Sequence, residues 1–519
     1  MTELRRALAD PGYTPSQRAF GALLPLLAEP ELAARAERAL RSAGLPAALF
    51  AARALSTSPP PQGPALVRIV GRALRSHDEA ALLDALQEAL RSPDPETRRQ
   101  AAQTLGKSGR AAAEPALLAC LGTSDPRLLR SVVEALGKVG SEQALSRLRA
   151  LAAPARLAPV VERACLILER TLQRTGAASA LALDVALPAT ATLVLSCRAG
   201  LAQLLAEEAQ SLGARRVSDS EVSLEWGGTL GVLLSLRLAL SVSLSFRLRP
   251  ASATPDAVVR TLLQPQLVDA VRAWTHGTPR FRLVWAGRGH RRADTWKVAR
   301  GLRDAGSPLL NDPTRAPWGI EARDAPQPRL LLTPVVKPDP RFEYRGRDVP
   351  GASHPTVAAA LARVGGVRSD DVIWDPFAGS GLELIERAKL GSFRALFGTD
   401  IDPRALSAAR ENAARAGLES AVQLVQADAR AHRVSGLTLV ITNPPMGRRV
   451  HRARGLSTLL AEVLRNVAEQ LTRGGRMVWL SPFAEATARV AADAGLRVER
   501  LGAVDLGGFA AELQRFTKP

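Results

Sequence analysis

Apolar positions in the first third of the chain recur at helical spacing, and the pattern itself repeats. Residues 95–109 read Pro, Arg, Ala, Leu, Gly, Lys and Gly at positions that residues 126–140 occupy again with Pro, Arg, Val, Leu, Gly, Lys and Gly. Weaker copies begin at Pro30 and Pro64. Each unit opens on Asp-Pro or a similar pair, where Asp can cap a helix and Pro fits its first turn. A Gly ends that helix, and a second one, such as 113–121, packs back on it. One helix pair cannot bury its own apolar face, so the pairs must stack, which predicts an α-solenoid over residues 1–180.

Past a small-residue stretch at 175–191 the period changes. Strands are expected at 193–195, 222–226 and 240–248, with helices at 201–211 and 256–274, an α+β module over 185–350. The least charged long stretch, 226–246, carries Arg237 at its centre, and 240–246 alternates with period two. That is a half-buried strand, and a central Arg would cost about 2.5–3.5 kcal/mol in a bilayer, so a soluble protein is expected. From 351 to 519 short strands at 372–374, 395–399, 422–425, 437–442 and 476–480 alternate with helices at 382–390, 403–416 and 484–494. Strands 498–506 and up to 516 then close the chain. Such alternation predicts a parallel, doubly wound, Rossmann-like α/β sheet with ligands at the carboxyl ends of its strands.

Charge sharpens the middle module. The formal net charge is +19, but it is spread over the chain and carried mostly by Arg, with 69 Lys+Arg against 50 Asp+Glu. Local clustering is therefore the better signal. Between Arg272 and Arg303 lie Arg280, Arg282, Arg288, Arg291, Arg292, Lys297 and Arg300, with Trp274, Trp285 and Trp296 among them and Asp294 the one acid before Arg303. Guanidinium groups neutralise phosphates, and exposed rings stack unpaired bases at about 1–3 kcal/mol each, so RNA contact is expected here. The competing reading makes the Trp residues core and the Arg residues a solvated face.

Candidate chemistry falls at the strand ends of the last segment. The first strand runs into Asp375-Pro376-Phe377-Ala378-Gly379-Ser380-Gly381, and the second ends at Asp400. A glycine turn admits a ligand to the backbone, and an acid about 20 residues on suits a ribose hydroxyl. Asp375 would repel a pyrophosphate yet suit a cationic sulfonium with its ammonium group. The third strand ends near Asp428, and the fourth at Asn443-Pro444-Pro445-Met446. An exocyclic amine on a base ring is a poor nucleophile because its lone pair is delocalised. The Asn443 side-chain oxygen and the Pro444 carbonyl can each accept one N–H, turning that lone pair toward a methyl donor, while two prolines hold φ near −65°.

These residues carry a resemblance. Residues 354–519 resemble class I S-adenosylmethionine-dependent methyltransferases of the Asn-Pro-Pro-Tyr type, most of all the THUMP-domain RNA guanine-N2 methyltransferases. The middle module is similar to the THUMP half of that family through Cys197-Arg198-Ala199-Gly200-Leu201, the Ala206-Glu207-Glu208 helix, Leu236-Arg237-Leu238 and the linker Arg341-Phe342-Glu343-Tyr344-Arg345-Gly346-Arg347. The N-terminal repeat resembles short HEAT repeats. The resemblance implies S-adenosyl-L-methionine as cofactor, in the turn containing Pro376 and Phe377. Asp375, Gly379 and Gly381 would line its methionine part, Asp400 its ribose and Asp428 its adenine amine. Asn443 to Met446 would face the target base, Arg448 and Arg449 RNA phosphate, and Arg345 of the basic linker would join the RNA-binding residues. Met446 departs from the family, where an aromatic residue stacks on the flipped base.

The expected activity is methyl transfer to an exocyclic base amine, guanine N2, of tRNA or rRNA. Two alternatives use the same features: a protein methyltransferase acting on a Gln or similar amide, and a catalytically degenerate scaffold. Six scattered His and three Cys show no ligand spacing, so no metal is expected. No secretory signal is read at the charged N-terminus, which suggests the cytoplasm, with the helical repeats a possible seat for a protein partner.

Overall fold

The computed structural model describes all residues except 1, 175–178, 288, 290, 315, 325 and 448–452. It divides into two compact units, 1–178 and 179–519.

The first unit is helical, with Gly63–Leu74, Pro95–Ser108, Pro126–Val139 and Ala158–Arg174 forming successive layers. Asp94 accepts hydrogen bonds from the backbone N–H groups of Glu96 and Thr97, and Asp125 from those of Arg127 and Leu128, so the Asp-Pro starts act as caps. The copy at Pro30 starts later, its helix running Ala33–Ser42. Gly109 ends its helix in the left-handed region at φ 71°, whereas Gly140 leaves in extended backbone at φ −75°. Gly106 sits inside its helix for another reason: a Cβ there would lie 2.7 Å from the Ala135 Cα of the next layer. Gly106→Val should destabilise this unit by about 1–3 kcal/mol, the cost of overpacking a filled contact. Denaturant unfolding of the full chain followed by circular dichroism checks it.

The second unit holds two large sheets. The sheet of the middle segment has eight strands in the order Arg215–Arg216, Glu221–Trp226, Ala191–Ser196, Ser241–Arg247, Arg329–Pro334, Trp318–Arg323, Arg280–Trp285, Leu310–Asn311. The helix expected at 256–274 is two helices, Pro255–Leu262 and Pro265–Ala273. Pro265 has no N–H to donate and disfavours helical backbone at the residue before it, so the first helix stops short of it and Pro265 opens the next.

The aromatic part of the RNA-contact expectation needs correction. Trp274 and Trp285 are buried in the core of this module, and Trp274 lies parallel to Trp318 with ring centroids 6.4 Å apart. Their faces are spent on apolar burial, and only Trp296 is half-buried rather than enclosed.

The last segment forms a seven-stranded sheet: β1 (Val372–Asp375), β2 (Ala395–Asp400), β3 (Val422–Gln426), β4 (Leu439–Thr442), β5 (Arg476–Ser481), β6 (Arg497–Asp505) and β7 (Ala510–Thr517). The order is β3-β2-β1-β4-β5-β7-β6, parallel except for β7, which runs antiparallel to both neighbours. Helices α1 (Pro355–Gly365), α2 (Leu382–Leu390) and α3 (Pro403–Arg415) belong to the half of the sheet that contains the motifs.

The two sheets are joined through a polar seam. Arg237, the charge that interrupts the apolar stretch, donates at 2.6 and 2.7 Å to Glu386 on α2, which also accepts from the Tyr344 hydroxyl. Glu208 accepts from the backbone of Arg237 and Leu238 and from Arg363 of α1. Arg341 is turned inward, donating to Asp339 and to the carbonyls of Leu236 and Ala239. The linker that the sequence offers as a basic, aromatic strand is in large part structural.

Candidate active site

The strand order reverses between β1 and β4, and the crevice at such a reversal lies over the carboxyl ends of the strands. Asp375 closes β1, Asp400 closes β2, and β4 runs directly into Asn443. Thr442, the last residue of β4, donates to Asp375 Oδ1 at 2.6 Å, so the two motifs are neighbours across the crevice.

Asp375 is fully buried. Its Oδ1 also accepts from the Phe377 N–H at 3.0 Å, while its Oδ2 is buried with no hydrogen-bond partner among the described residues. Burial, reinforced by the charge of Glu383, pushes the Asp375 carboxyl well above the usual range. Burial also pushes Glu383 up, to about 7, against the opposing hydrogen bond from Ser353. Two buried acids this close leave the crevice with an unmet preference for positive charge.

Gly379 and Gly381 hold left-handed φ values of 51° and 82°, which a side chain would strain. A Cβ on Gly379 would meet nothing nearer than the Phe377 carbonyl at 3.8 Å, so the turn faces open space. The Gly379 N–H donates to Asp400 Oδ2 at 3.0 Å, and the Asp402 N–H to Oδ1 at 2.9 Å. Each oxygen keeps a lone pair, enough for a vicinal diol. The Ser380 hydroxyl is another buried group without a partner among the described residues. Asn412 on α3 is buried, donates to the Ser380 and Arg347 carbonyls and accepts from Gly346 and Arg347, tying the linker to the glycine turn.

Asp428 is arranged differently. Its carboxylate is paired with Arg430 at 2.6 Å, and that guanidinium holds it below the ordinary range. Any amine it accepts must share it with Arg430.

Asn443 is the most directed group of the crevice. Its Nδ2 donates to Ser353 Oγ at 2.9 Å, and its Oδ1 is buried with no partner among the described residues. Pro444 is buried, Pro445 exposed, and Met446 half-buried against the apolar core. His354 caps α1 through Nδ1, and burial together with the charges of Arg198, Arg345 and Arg341 lowers its pKa to about 4, so its ring is neutral at pH 7. Beside it a cavity of about 710 Å³ opens, lined by linker residues including Arg345 and by Arg415.

Among the basic candidates, Arg291 lies over the Trp285 ring at 4.7 Å and is paired with Asp294, so it serves the fold. Arg292 and Lys297 are exposed, and Arg345 is paired with Asp348. Arg288, Arg448 and Arg449 lie outside the described residues. No metal-binding cluster occurs among the described residues, nor a helix long and apolar enough to cross a membrane.

Sequence reasoning missed Ser353, Glu383, Thr442 and Asn412. Thr442 adjoins Asn443 at a strand end and was within reach of the motif. The others come from distant segments, and nothing in their local pattern marks them.

Comparison with known proteins now bears on this crevice. Residues 343–511 match the model of the RMKL-like methyltransferase domain. Residues 82–168 match HEAT repeats. That methyltransferase match begins within the linker at Glu343, and every motif residue from Asp375 to Met446 falls inside it. The chain is 33% identical over 183 residues to the tRNA (guanine(6)-N2)-methyltransferase of Thermus thermophilus, covering 35% of this chain and 52% of that protein. It is 32% identical over 135 residues to the tRNA (guanine(10)-N2)-dimethyltransferase of Methanothermobacter thermautotrophicus, covering 26% and 39%. It therefore spans about half the length, or less, of these curated relatives. Among solved structures, TrmN from Thermus thermophilus shares the fold with a TM-score of 0.52 and 24% identity, over 63% of this chain and 99% of that one.

Proposed function

We propose that this chain is an S-adenosylmethionine-dependent methyltransferase acting on an exocyclic base amine, guanine N2, of tRNA or rRNA in the cytoplasm. The observation that carries the reading is the buried, unpartnered Asn443 Oδ1 beside the Asp375 glycine turn. The names of the two relatives described above, both tRNA guanine-N2 enzymes, support the same substrate class.

The residues present fit the cofactor. Asp375 Oδ2 is a buried acceptor waiting for a cationic group, the left-handed turn at Gly379 leaves room along the backbone, and Asp400 suits the ribose diol. Pro376, Phe377 and Gly381 shape that turn, and Asp428 would take the adenine amine in competition with Arg430. When bound, the cofactor supplies an electrophilic methyl group on sulfonium. The chain's part is positional: Asn443 Oδ1 and the Pro444 carbonyl accept the two amine N–H groups, so the nitrogen lone pair leaves conjugation with the ring. The prolines hold both acceptors rigid, and Met446 lies against the base through a softer thioether contact than an aromatic stack.

The domain assignment of the proposal is 1–180 for the HEAT-like repeats, 185–350 for a THUMP-like RNA-binding module and 351–519 for catalysis. The repeats are assigned in this reading to a protein partner. RNA would be held along the linker cavity and by Arg292 and Lys297, with the target nucleotide flipped or single-stranded. Arg292→Ala and Lys297→Ala should each weaken RNA binding and lower the slope of log affinity against log salt by about 1, as measured by filter binding from 50 to 200 mM salt. The deciding experiment is tritium transfer from labelled cofactor into total RNA against total protein, with Asn443→Ala as control. Label in N2-methylguanine is the expected result, and label in protein would move the reading to an amide substrate.

A further inference from the structure

Asn443 can perform its task in only one of its two amide orientations. With Oδ1 toward the crevice it accepts an amine N–H. Flipped by 180°, Nδ2 would present N–H groups to N–H groups. The side chain has no preference of its own, so something else must choose.

We infer that Ser353 and Glu383 form a positioning relay that locks the Asn443 amide in its accepting orientation. This rests on the proposed methyl transfer for its purpose, but the geometry stands by itself. Asn443 Nδ2 donates to Ser353 Oγ at 2.9 Å, and the Ser353 hydroxyl donates to Glu383 Oε1. Glu383 and Ser353 are both buried, so water offers neither a substitute partner.

The chain of donors runs one way. A hydroxyl has a single proton, and Glu383 takes it in its ionised form, which dominates above about pH 7, where the relay is to be tested. Ser353 then has only lone pairs to offer Asn443, so it must meet Nδ2 and not Oδ1. The three residues come from the loop before α1, the first turn of α2 and the end of β4. Glu383 touches no part of the expected substrate position and acts through Ser353, so both are positioning residues.

The test has two arms. In the first, Ser353→Ala and Glu383→Leu should lower kcat by about 30-fold, less than the roughly 10²–10³-fold cost of deleting a preorganised polar contact outright, because Asn443 itself remains. KM for RNA and, in Ser353→Ala, which keeps both acids of the crevice, the cofactor Kd from calorimetry should stay within about threefold, and Ser353→Thr, which keeps the hydroxyl, should restore most of the rate. Unchanged kcat in both variants, or a parallel loss of kcat, cofactor binding and thermal stability in Ser353→Ala, would overturn the relay. The second arm needs no substrate. In protein labelled with ¹⁵N-asparagine, with the Asn443 signal assigned from its loss in Asn443→Ala, the side-chain amide should exchange slowly in the parent and markedly faster in Ser353→Ala. Equal exchange would sink the relay even if RNA methylation is confirmed. Protected exchange in a chain that methylates no RNA would keep the relay and reject only the substrate.

Discussion

Asn443→Ala should reduce methyl transfer by about 10²–10³-fold or more while leaving cofactor affinity within about twofold. Among the described residues the side chain makes one hydrogen bond, to Ser353, and its other polar atom is buried without a partner. Removing it therefore deletes an acceptor that matters chiefly when the amine nitrogen becomes tetrahedral, and takes nothing from the Asp375 and Asp400 side of the site. Single-turnover kinetics with excess enzyme, paired with calorimetric titration of the cofactor, separates the two quantities. A fall in cofactor affinity matching the fall in rate would mean that Asn443 belongs to the cofactor pocket instead.

The largest effect on stability should come from the opposite edge of the same sheet. Asp371, just before β1, is buried and accepts from Arg387 at 2.8 Å and from both terminal nitrogens of Arg476 at 2.7 and 2.8 Å. Thr438 and the Arg368 N–H complete its set. Asp371→Ala leaves two buried guanidinium groups without their counter-ion, and breaking a buried pair this way costs about 3–5 kcal/mol. The hydrogen bonds and charges of Arg476 and Arg387 outweigh burial and hold the Asp371 pKa down to about 2. A carboxyl depressed on folding stabilises fully above its unfolded value of about 3.9, and that contribution fades as pH falls toward 2. Guanidinium-chloride unfolding of parent and variant at pH 7 and pH 3 should show the gap between them narrowing at the lower pH. A gap that widens would contradict the assignment.

These outcomes differ because the ends of β1 and β4 differ. At their amino edge Asp371 and Arg476 are saturated with partners. At their carboxyl edge Asp375 and Asn443 each keep a buried polar atom unspent. Arg387, which shares Asp371, also leaves its Nε buried without a partner among the described residues, so an unspent atom points to a ligand only where, as at Asp375 and Asn443, it stands at the strand ends that meet in the crevice.

Much of this was legible along the chain. The Asp-Pro starts of the repeat, the strand ends at Asp375, Asp400 and Asn443, and the closing β6–β7 pair follow from local chemistry: capping, glycine turns and the alternation of strands with helices. The basic middle segment was legible only in part. Its charge is real, but Trp274 and Trp285 are core and Arg291 is spent on Trp285 and Asp294. Spacing cannot tell an aromatic that stacks on a base from one that fills a sheet, because both require the same side chain.

By itself the sequence determined which chemistry the chain could attempt: an acid at a glycine turn, a second acid one strand on, and an amide stiffened by two prolines, each set by neighbours within a few residues. Tertiary structure alone decided that Ser353 and Glu383 reach Asn443 and that Arg237 and Glu386 weld one sheet to the other. Those pairings join residues between 30 and 149 positions apart. What settles them is which buried polar groups are left without water, and that is known only once the chain has closed around them.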